Sequence, residues 1–369
     1  MKILSVFNNK GGVGKTTLTY HLAHALSEEG NKVLLLDADP QCNLTIYSMD
    51  VDDIHSIWEE EDECIYMGVE EFANKKGKDI MAALQDNVRS LHFLLQPTID
   101  GVSEHEKLAP PYKINKNLHM IPGRLSLHEF EEKVSSRWSD AYRGDSLAIR
   151  TLTRIRNISE EYGKKYKYDY IIVDTSPSLG ALNKTIISTV DGFFVPAAPD
   201  MFSLYGIRNI GASLVKWHEE FEIIFKLIST EKRNLFPKKF VQFLGYTIYN
   251  AKKYTRTDSQ WNLAQAHLKY AIQIPDIIRK YIDKDIREVI PDELLAAPIG
   301  GEAIMHTHNT FPAMAQHYRV PMWKIADFKK LDREDRNTVN GQREGILSTK
   351  SGYTNFAKSL IQRIELLGN

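Results

Sequence analysis

What this 369-residue chain lacks narrows its class before any motif is read. It has two cysteines, Cys42 and Cys64, too few for a disulfide framework and without metal-ligand spacing. That fits a reducing compartment, and the expected location is the cytoplasm. No apolar run approaches the ~20 residues that cross a bilayer. The short apolar stretch from Ile3 to Phe7 runs into Asn-Asn-Lys rather than a small-residue cleavage site, so it does not read as a signal peptide. Neither sign of charge is in marked excess. The formal net charge is −1, which gives no global positive field for nucleic acid, so any DNA contact must come from a local patch.

What is present is an alternation of apolar strands and helical stretches. Lys2–Phe7, Lys32–Asp39, Tyr168–Ser176, Asp191–Pro199 and Phe240–Asn250 are short apolar runs, and a shorter one, Arg287–Pro291, follows. Such strands separated by helices predict an α/β fold with a mainly parallel, twisted sheet covered on both faces. Thr16–Glu29 carries Leu18, Leu22, Ala25 and Leu26 at helical spacing and closes at Gly30-Asn31. From about 48 to 167 the rhythm breaks. That stretch holds an acidic run, Glu59–Glu63, a Pro110-Pro111 loop and one more strand, Asn117–Gly123. Its remainder reads as a helical elaboration, with the acidic run as a solvated face. The expectation is a single domain over 1–369, with a C-terminal helical extension at about 305–369.

The chemistry gathers at the strand ends, where parallel α/β sheets bind ligands. NNKGGVGKTT (Asn8–Thr17) links the first strand to the first helix. The phosphate-loop pattern G-x-x-x-x-G-K-[ST] is met at Gly14-Lys15-Thr16, but Asn9 stands at its first glycine and Lys10 beside it. Glycines let backbone N–H groups turn towards phosphate oxygens, and the helix N-terminus adds partial positive charge. Gly11, Gly12, Val13, Gly14, Lys15, Thr16 and Thr17 are the candidate nucleotide-binding residues, with Lys15 on the β- and γ-phosphates and the Thr16 hydroxyl on Mg²⁺. Phosphoryl transfer needs acids as well. Asp174, ending YIIVD, is placed to hold the metal, and Asp39, in LLLDADPQ, to orient the attacking water and join the metal set. Asp37 is near enough to share that network. No N-K-x-D guanine-recognition sequence occurs, which favours ATP over GTP.

At this point the residues carry a resemblance. KGGVGKTT resembles the deviant Walker A loop of the ParA/MinD ATPases, in which a lysine precedes the two glycines. DADPQCNLT (Asp37–Thr45) is similar to that family's switch I, and YDYIIVDTSPSLGALN (Tyr168–Asn183) to its Walker B and switch II. PAAPDMFSLYGI (Pro196–Ile207) and VIPDELLAAPIGGEAI (Val289–Ile304) match later segments, and Asp-Pro-Gln with Pro-Ser-Leu-Gly points to the ParA branch. The resemblance implies a P-loop ATPase that binds ATP and Mg²⁺ and closes as a homodimer. Lys10 would then contact, as a catalytic group, the phosphates held by the other subunit. Asn250 matches a position where relatives often contact the base; the residues alone equally allow a strand-ending turn there. Departures are Ser176-Pro177 in place of Pro-Pro and Ala297 where an acid is common.

The resemblance further implies a switch that positions DNA or another cargo, released when an adaptor or effector protein stimulates hydrolysis. Nonspecific DNA would meet Lys252, Lys253, Arg256, Arg279 and Lys280, with Lys284 and Arg287 beside them. The bland alternative is a solvated helix face. A regulatory or defence-associated scaffold that recruits an effector is a second reading. A MinD-like membrane helix is a third and less favoured one, because the stripe Phe356, Leu360, Ile361, Ile364 and Leu367 carries few cations and also suits a packed last helix. His306, His308 and His317 lack the carboxylate or cysteine partners of a zinc site.

Overall fold

A computed structural model describes residues 1–253 and 260–368. Its seven strands form a mixed, mostly parallel sheet with helices, and the chain divides into two compact units.

The first unit comprises residues 1–5, 31–191 and 216–241. Its strands are β1 (Lys2–Val6), β2 (Val33–Asp37), β3 (Tyr112–Lys113), β4 (Leu118–Ile121) and β5 (Tyr170–Asp174), ordered β3-β4-β2-β5-β1. β2 is buried along its whole length, as a strand flanked by parallel neighbours must be. It pairs in parallel with β4 and β5, and the register sets Asp37 beside Asp174.

The elaboration is helical, as its sequence suggested. After α1 (Lys15–Glu28) come α2 (Asn43–Ser48), α3 (Val51–Met67), α4 (Val69–Lys76), α5 (Lys78–Gln85), α6 (Leu91–Asp100), α7 (His128–Ala141) and α8 (Ser146–Tyr166). Side-chain caps from Asp50, Ser90 and Asp145 start α3, α6 and α8. α9 (Ala181–Thr189) follows β5.

The acidic run departs from expectation at one residue. Glu61 is fully buried on α3. Its carboxylate accepts the Ser90 amide and hydroxyl, each at 2.6 Å, and faces Arg124 at 3.4 Å. Helical period explains this: Ile54, Ile57, Glu61 and Cys64 share the buried face. Burial pushes the carboxyl up to about 7, despite the bonds from Ser90 and the charges of Arg124 and Arg89. A carboxyl raised from 4.5 to about 7 contributes stability that is complete below pH 4.5 and lost as pH rises through 7. Glu61→Gln should therefore flatten the fall in melting temperature over that window, by the equivalent of about 3 kcal/mol. An unchanged slope against the parent excludes this carboxyl as the source.

The second unit comprises residues 6–30, 192–215 and 242–369. β6 (Gly192–Ala197) and β7 (Gln242–Ile248) pair in parallel with a bulge where Phe194 faces Gly245. The bulge has a reason. The Leu244 carbonyl accepts Arg363 Nη1 at 3.0 Å, and Nη2 of that buried guanidinium meets the carbonyls of Leu294 and Ala297. α10 (Met201–Leu227) and α11 (Thr230–Arg233) lie between those strands in sequence. After β7 come α12 (Gln265–Ala271), α13 (Ile274–Tyr281), α14 (Asp292–Leu295), α15 (Phe311–Tyr318), α16 (Met322–Ile325), α17 (Arg333–Gly341) and α18 (Arg343–Glu365).

α18 packs on α1, α16 and β7. Phe356, Leu360 and Ile364 are in the core and Ile361 and Leu367 are half-buried, so most of the stripe that a membrane reading required is spent on packing. Among the described residues no helix is long and apolar enough to cross a membrane. His21, buried on α1, joins α16 to that core: Nδ1 donates to the Thr17 carbonyl at 2.7 Å and Nε2 accepts the Met322 amide at 3.1 Å. Arg287–Pro291 is not a strand. The Asp283 side chain takes the Asp285 amide, and Arg287 and Ile290 close successive turns, so the apolar Ile286 and Ile290 are buried by a turn instead of a sheet.

Candidate functional site

In the second unit the glycine-rich loop follows β1. The Asn8 amide nitrogen donates to the Pro196 carbonyl at 2.7 Å, and its oxygen takes the Lys10 amide at 2.9 Å. This fixes where the loop leaves the strand. Gly12 (φ +72) and Gly14 (φ +79) are in the left-handed region, where a side chain costs about 1 kcal/mol or more. Gly14 is restricted twice, since a Cβ there would lie 2.3 Å from the Tyr249 ring.

No side chain caps α1, and a helix start without a Ser or Asp cap is the kind of terminus at which anions bind. The Lys15 ammonium is folded back over the loop, 3.4 Å from the Lys10 carbonyl. Lys10 itself forms an ion pair with Asp200 and lies 5.9 Å from the centroid of the Phe202 ring. Asp200 also caps α10 by accepting the Ser203 amide at 2.9 Å. Partial burial opposes its ionisation, but Lys10 and Ser203 outweigh that and hold the carboxyl below its ordinary value. Beside this pair Met201, Phe202 and Tyr205 are 45%, 66% and 55% exposed.

In the first unit the acids stand at the carboxyl ends of β2 and β5. Asp174 is fully buried, Asp39 nearly so. Asp39 accepts the Gln41 amide at 2.9 Å, which turns the chain after β2. Asp37 points inward. It accepts the Thr45 amide at 2.8 Å, the Thr45 hydroxyl at 2.6 Å and the Asp39 amide at 3.2 Å. Burial raises its carboxyl to about 7 against those bonds. Asp37 is therefore a structural pin of the segment after β2. The segment after β5 is pinned by Asn183, whose amide reaches the carbonyls of Ser176 and Ser178, each at 2.8 Å.

The loop residues Lys10, Gly11, Gly12, Val13, Gly14, Lys15, Thr16 and Thr17 thus share one unit, and Asp37, Asp39 and Asp174 the other. Asn250 lies two residues past the end of β7, exposed and in left-handed backbone, φ +62. Lys252, Lys253, Lys280 and Lys284 are exposed. Arg279 pairs with Asp276, and Arg287 binds the Ile282 carbonyl and faces Asp292. Arg256 lies outside the described residues. His306 binds the Trp261 carbonyl and His308 stacks on Tyr249. Sequence reasoning passed over Asp200, Tyr249 and Thr45. The spacing Asp200-x-x-Ser203 was a legible helix-start signal, while the other two contacts depend on tertiary approach.

A strand, a loop with two left-handed glycines, an uncapped helix start and an inward lysine define a nucleotide-binding P-loop protein. The chain belongs to the ParA/MinD family: the family model described as an AAA domain, an ATP-binding domain, matches residues 1–227. An uncharacterized protein of Methanocaldococcus jannaschii is 28% identical over 56% of this chain and 63% of its own length. The chromosome partitioning protein ParA of Caulobacter vibrioides is 24% identical over 68% of this chain and 71% of its own. The chain spans about half to two thirds of the length of the first curated relatives it matches. McdA of Cyanothece, solved as a complex with ATP, has the same fold, with a TM-score of 0.56 at 16% identity over 98% of this chain and 96% of that one.

Proposed function

We propose that the protein is an ATP-dependent dimerising ATPase that hydrolyses ATP to ADP and phosphate and positions DNA or another large cargo. The observation that carries this is Lys10. An anion-binding loop needs one inward lysine, which Lys15 supplies, whereas Lys10 stands at a partly exposed surface beside Met201, Phe202 and Tyr205. A cation and exposed apolar side chains together suit a second copy of the chain. Lys15 and the loop amides hold the triphosphate, and Thr16 with Asp174 and Asp39 serves Mg²⁺. Asp39 orients the attacking water, and Asn250 contacts the base. The ATP complex of McdA and the chromosome-partitioning role of the Caulobacter ParA support the reading.

Exposed Lys252, Lys253, Lys280 and Lys284 offer phosphate contacts for nonspecific duplex DNA, and a stimulating partner protein would then set the hydrolysis rate. Tyr66, 92% exposed on α3, favours a second reading in which the elaboration recruits an effector. Cytoplasmic, nucleoid-associated location follows from the first reading.

Sizing the protein with ATP and Mg²⁺, with and without nonspecific duplex DNA, tests the proposal. The expected result is an ATP-dependent dimer that comigrates with DNA at low salt and leaves it at high salt. Asp39→Ala should make that dimer persist, with turnover lowered at least about 100-fold, the order set by losing a positioned base or water-orienting group. A protein that stays monomeric with bound ATP would sink the dimer reading. Turnover by Asp39→Ala at the parental rate would remove that residue from the chemistry.

A further inference from the structure

The helical elaboration has no part in the nucleotide loop, yet it reaches the segment that carries Asp39. Within the first unit β4 runs beside β2, with Ile121 opposite Leu36, so the Pro122–Arg124 turn falls at the end of β2. All three residues of that turn are held by the elaboration. The Pro122 carbonyl accepts the Leu91 amide at the start of α6 at 2.7 Å. The Gly123 carbonyl accepts the Trp58 indole N–H of α3 at 3.1 Å. The Arg124 guanidinium donates to the Trp58 carbonyl at 2.8 Å and faces buried Glu61.

On its other side the same turn holds the segment after β2. The Gly123 amide donates to the Thr45 hydroxyl at 2.7 Å, and that hydroxyl donates to Asp37 at 2.6 Å. The second Asp37 oxygen takes the Asp39 amide at 3.2 Å. Thr45 is fully buried, and its hydroxyl is spent in both directions, one proton given and one accepted. Gly123 allows the approach: a Cβ there would lie 3.0 Å from the Asp37 carboxyl carbon and 3.2 Å from its backbone oxygen. Hydrogen bonds thus link the Trp58 indole, through the Gly123 backbone, Thr45 and the Asp37 carboxylate, to the Asp39 amide.

We infer that Thr45, Gly123 and Trp58 are positioning residues for Asp39, so that the elaboration on α3 and α6 sets the geometry of the hydrolytic step. The inference rests on the ATPase reading for the role of Asp39, and on the hydrogen bonds for everything else. Thr45→Val keeps shape and removes the hydroxyl that joins Gly123 to Asp37; Thr45→Ser restores it. Trp58→Phe removes the indole donor while keeping an aromatic ring.

In steady-state kinetics Thr45→Val should lower kcat about ten- to hundredfold, the cost of slight misplacement of a reacting group. The KM for ATP should change less than about threefold, because the nucleotide loop is untouched. Thr45→Ser should recover most of the rate, and Trp58→Phe should lower kcat in the same direction by less. A second readout needs no turnover. Amide hydrogen exchange across residues 38–45 should speed up in Thr45→Val and Trp58→Phe by more than exchange elsewhere in the first unit. A folded Thr45→Val with parental kcat and parental exchange overturns the inference. Loss in Thr45→Ser equal to that in Thr45→Val overturns it as well, since packing and not the hydroxyl would then matter. If the parent itself hydrolyses no ATP, the ATPase reading fails, and exchange over residues 38–45 still decides whether the elaboration holds that segment.

Discussion

Lys15→Ala should leave a folded protein that no longer holds ATP. The loop geometry does not depend on that side chain: its turns are fixed by Gly12 and Gly14 in left-handed backbone and by Asn8 bridging to Pro196. The ammonium, folded over the loop toward the Lys10 carbonyl at 3.4 Å, is the group placed to meet phosphate. A charge-assisted hydrogen bond to a charged partner contributes roughly 1.5–3 kcal/mol. Losing two such contacts to the β- and γ-phosphates costs at least about 100-fold in affinity. Calorimetric titration with ATP and Mg²⁺ should show no saturable heat at concentrations that saturate the parent, with the melting temperature of the free protein within a few degrees. Retained tight binding would remove the P-loop assignment.

Much of the fold was legible because its signals are local. Each apolar run that became β1, β2, β5, β6 or β7 is short and bounded by turn residues, so strand identity followed from length and composition. Arg287–Pro291 misled because two buried isoleucines in a turn leave the same local pattern as a short strand. The acidic run misled in the opposite way. Four of its five residues are exposed, and helical phase alone put Glu61 into the core. Of the candidate site, the turns of the loop were readable because glycine marks the left-handed backbone that Gly12 and Gly14 adopt. The Lys10–Asp200 pair and the Trp58-to-Asp39 hydrogen-bond chain were not, because they join residues far apart in sequence. Asp37 illustrates the limit. Its sequence places it beside Asp39, but only the bonds from Thr45 show that its carboxylate is spent on structure.

Lys10→Ala should separate binding from turnover. In this structure the ammonium is held by Asp200 of its own chain, with both side chains partly exposed, at 25% and 39%. An ion pair of that exposure is worth about 0–1 kcal/mol, so it is a resting place from which the lysine is readily drawn. A triphosphate with Mg²⁺ would offer a stronger partner, and on the proposed dimer reading one supplied by a second subunit would be reached only when the surfaces around Met201, Phe202 and Tyr205 meet. On the proposed reading Lys10 would then neutralise charge that develops as the γ-phosphate departs, as an arginine finger does, with effects of about 10³-fold or more. The expected pattern for Lys10→Ala is ATP affinity of the monomer within about threefold of the parent, no ATP-dependent dimer on a sizing column, and hydrolysis reduced at least about 1000-fold. Mixing it with the Lys15→Ala chain sharpens the test, because Lys15→Ala carries the missing Lys10 but holds no nucleotide of its own. A mixed dimer would place the Lys10 of one chain against the ATP of the other, and hydrolysis should rise above that of either variant alone. If Lys10→Ala dimerises with ATP and turns over as the parent does, the lysine acts within its own chain or not at all.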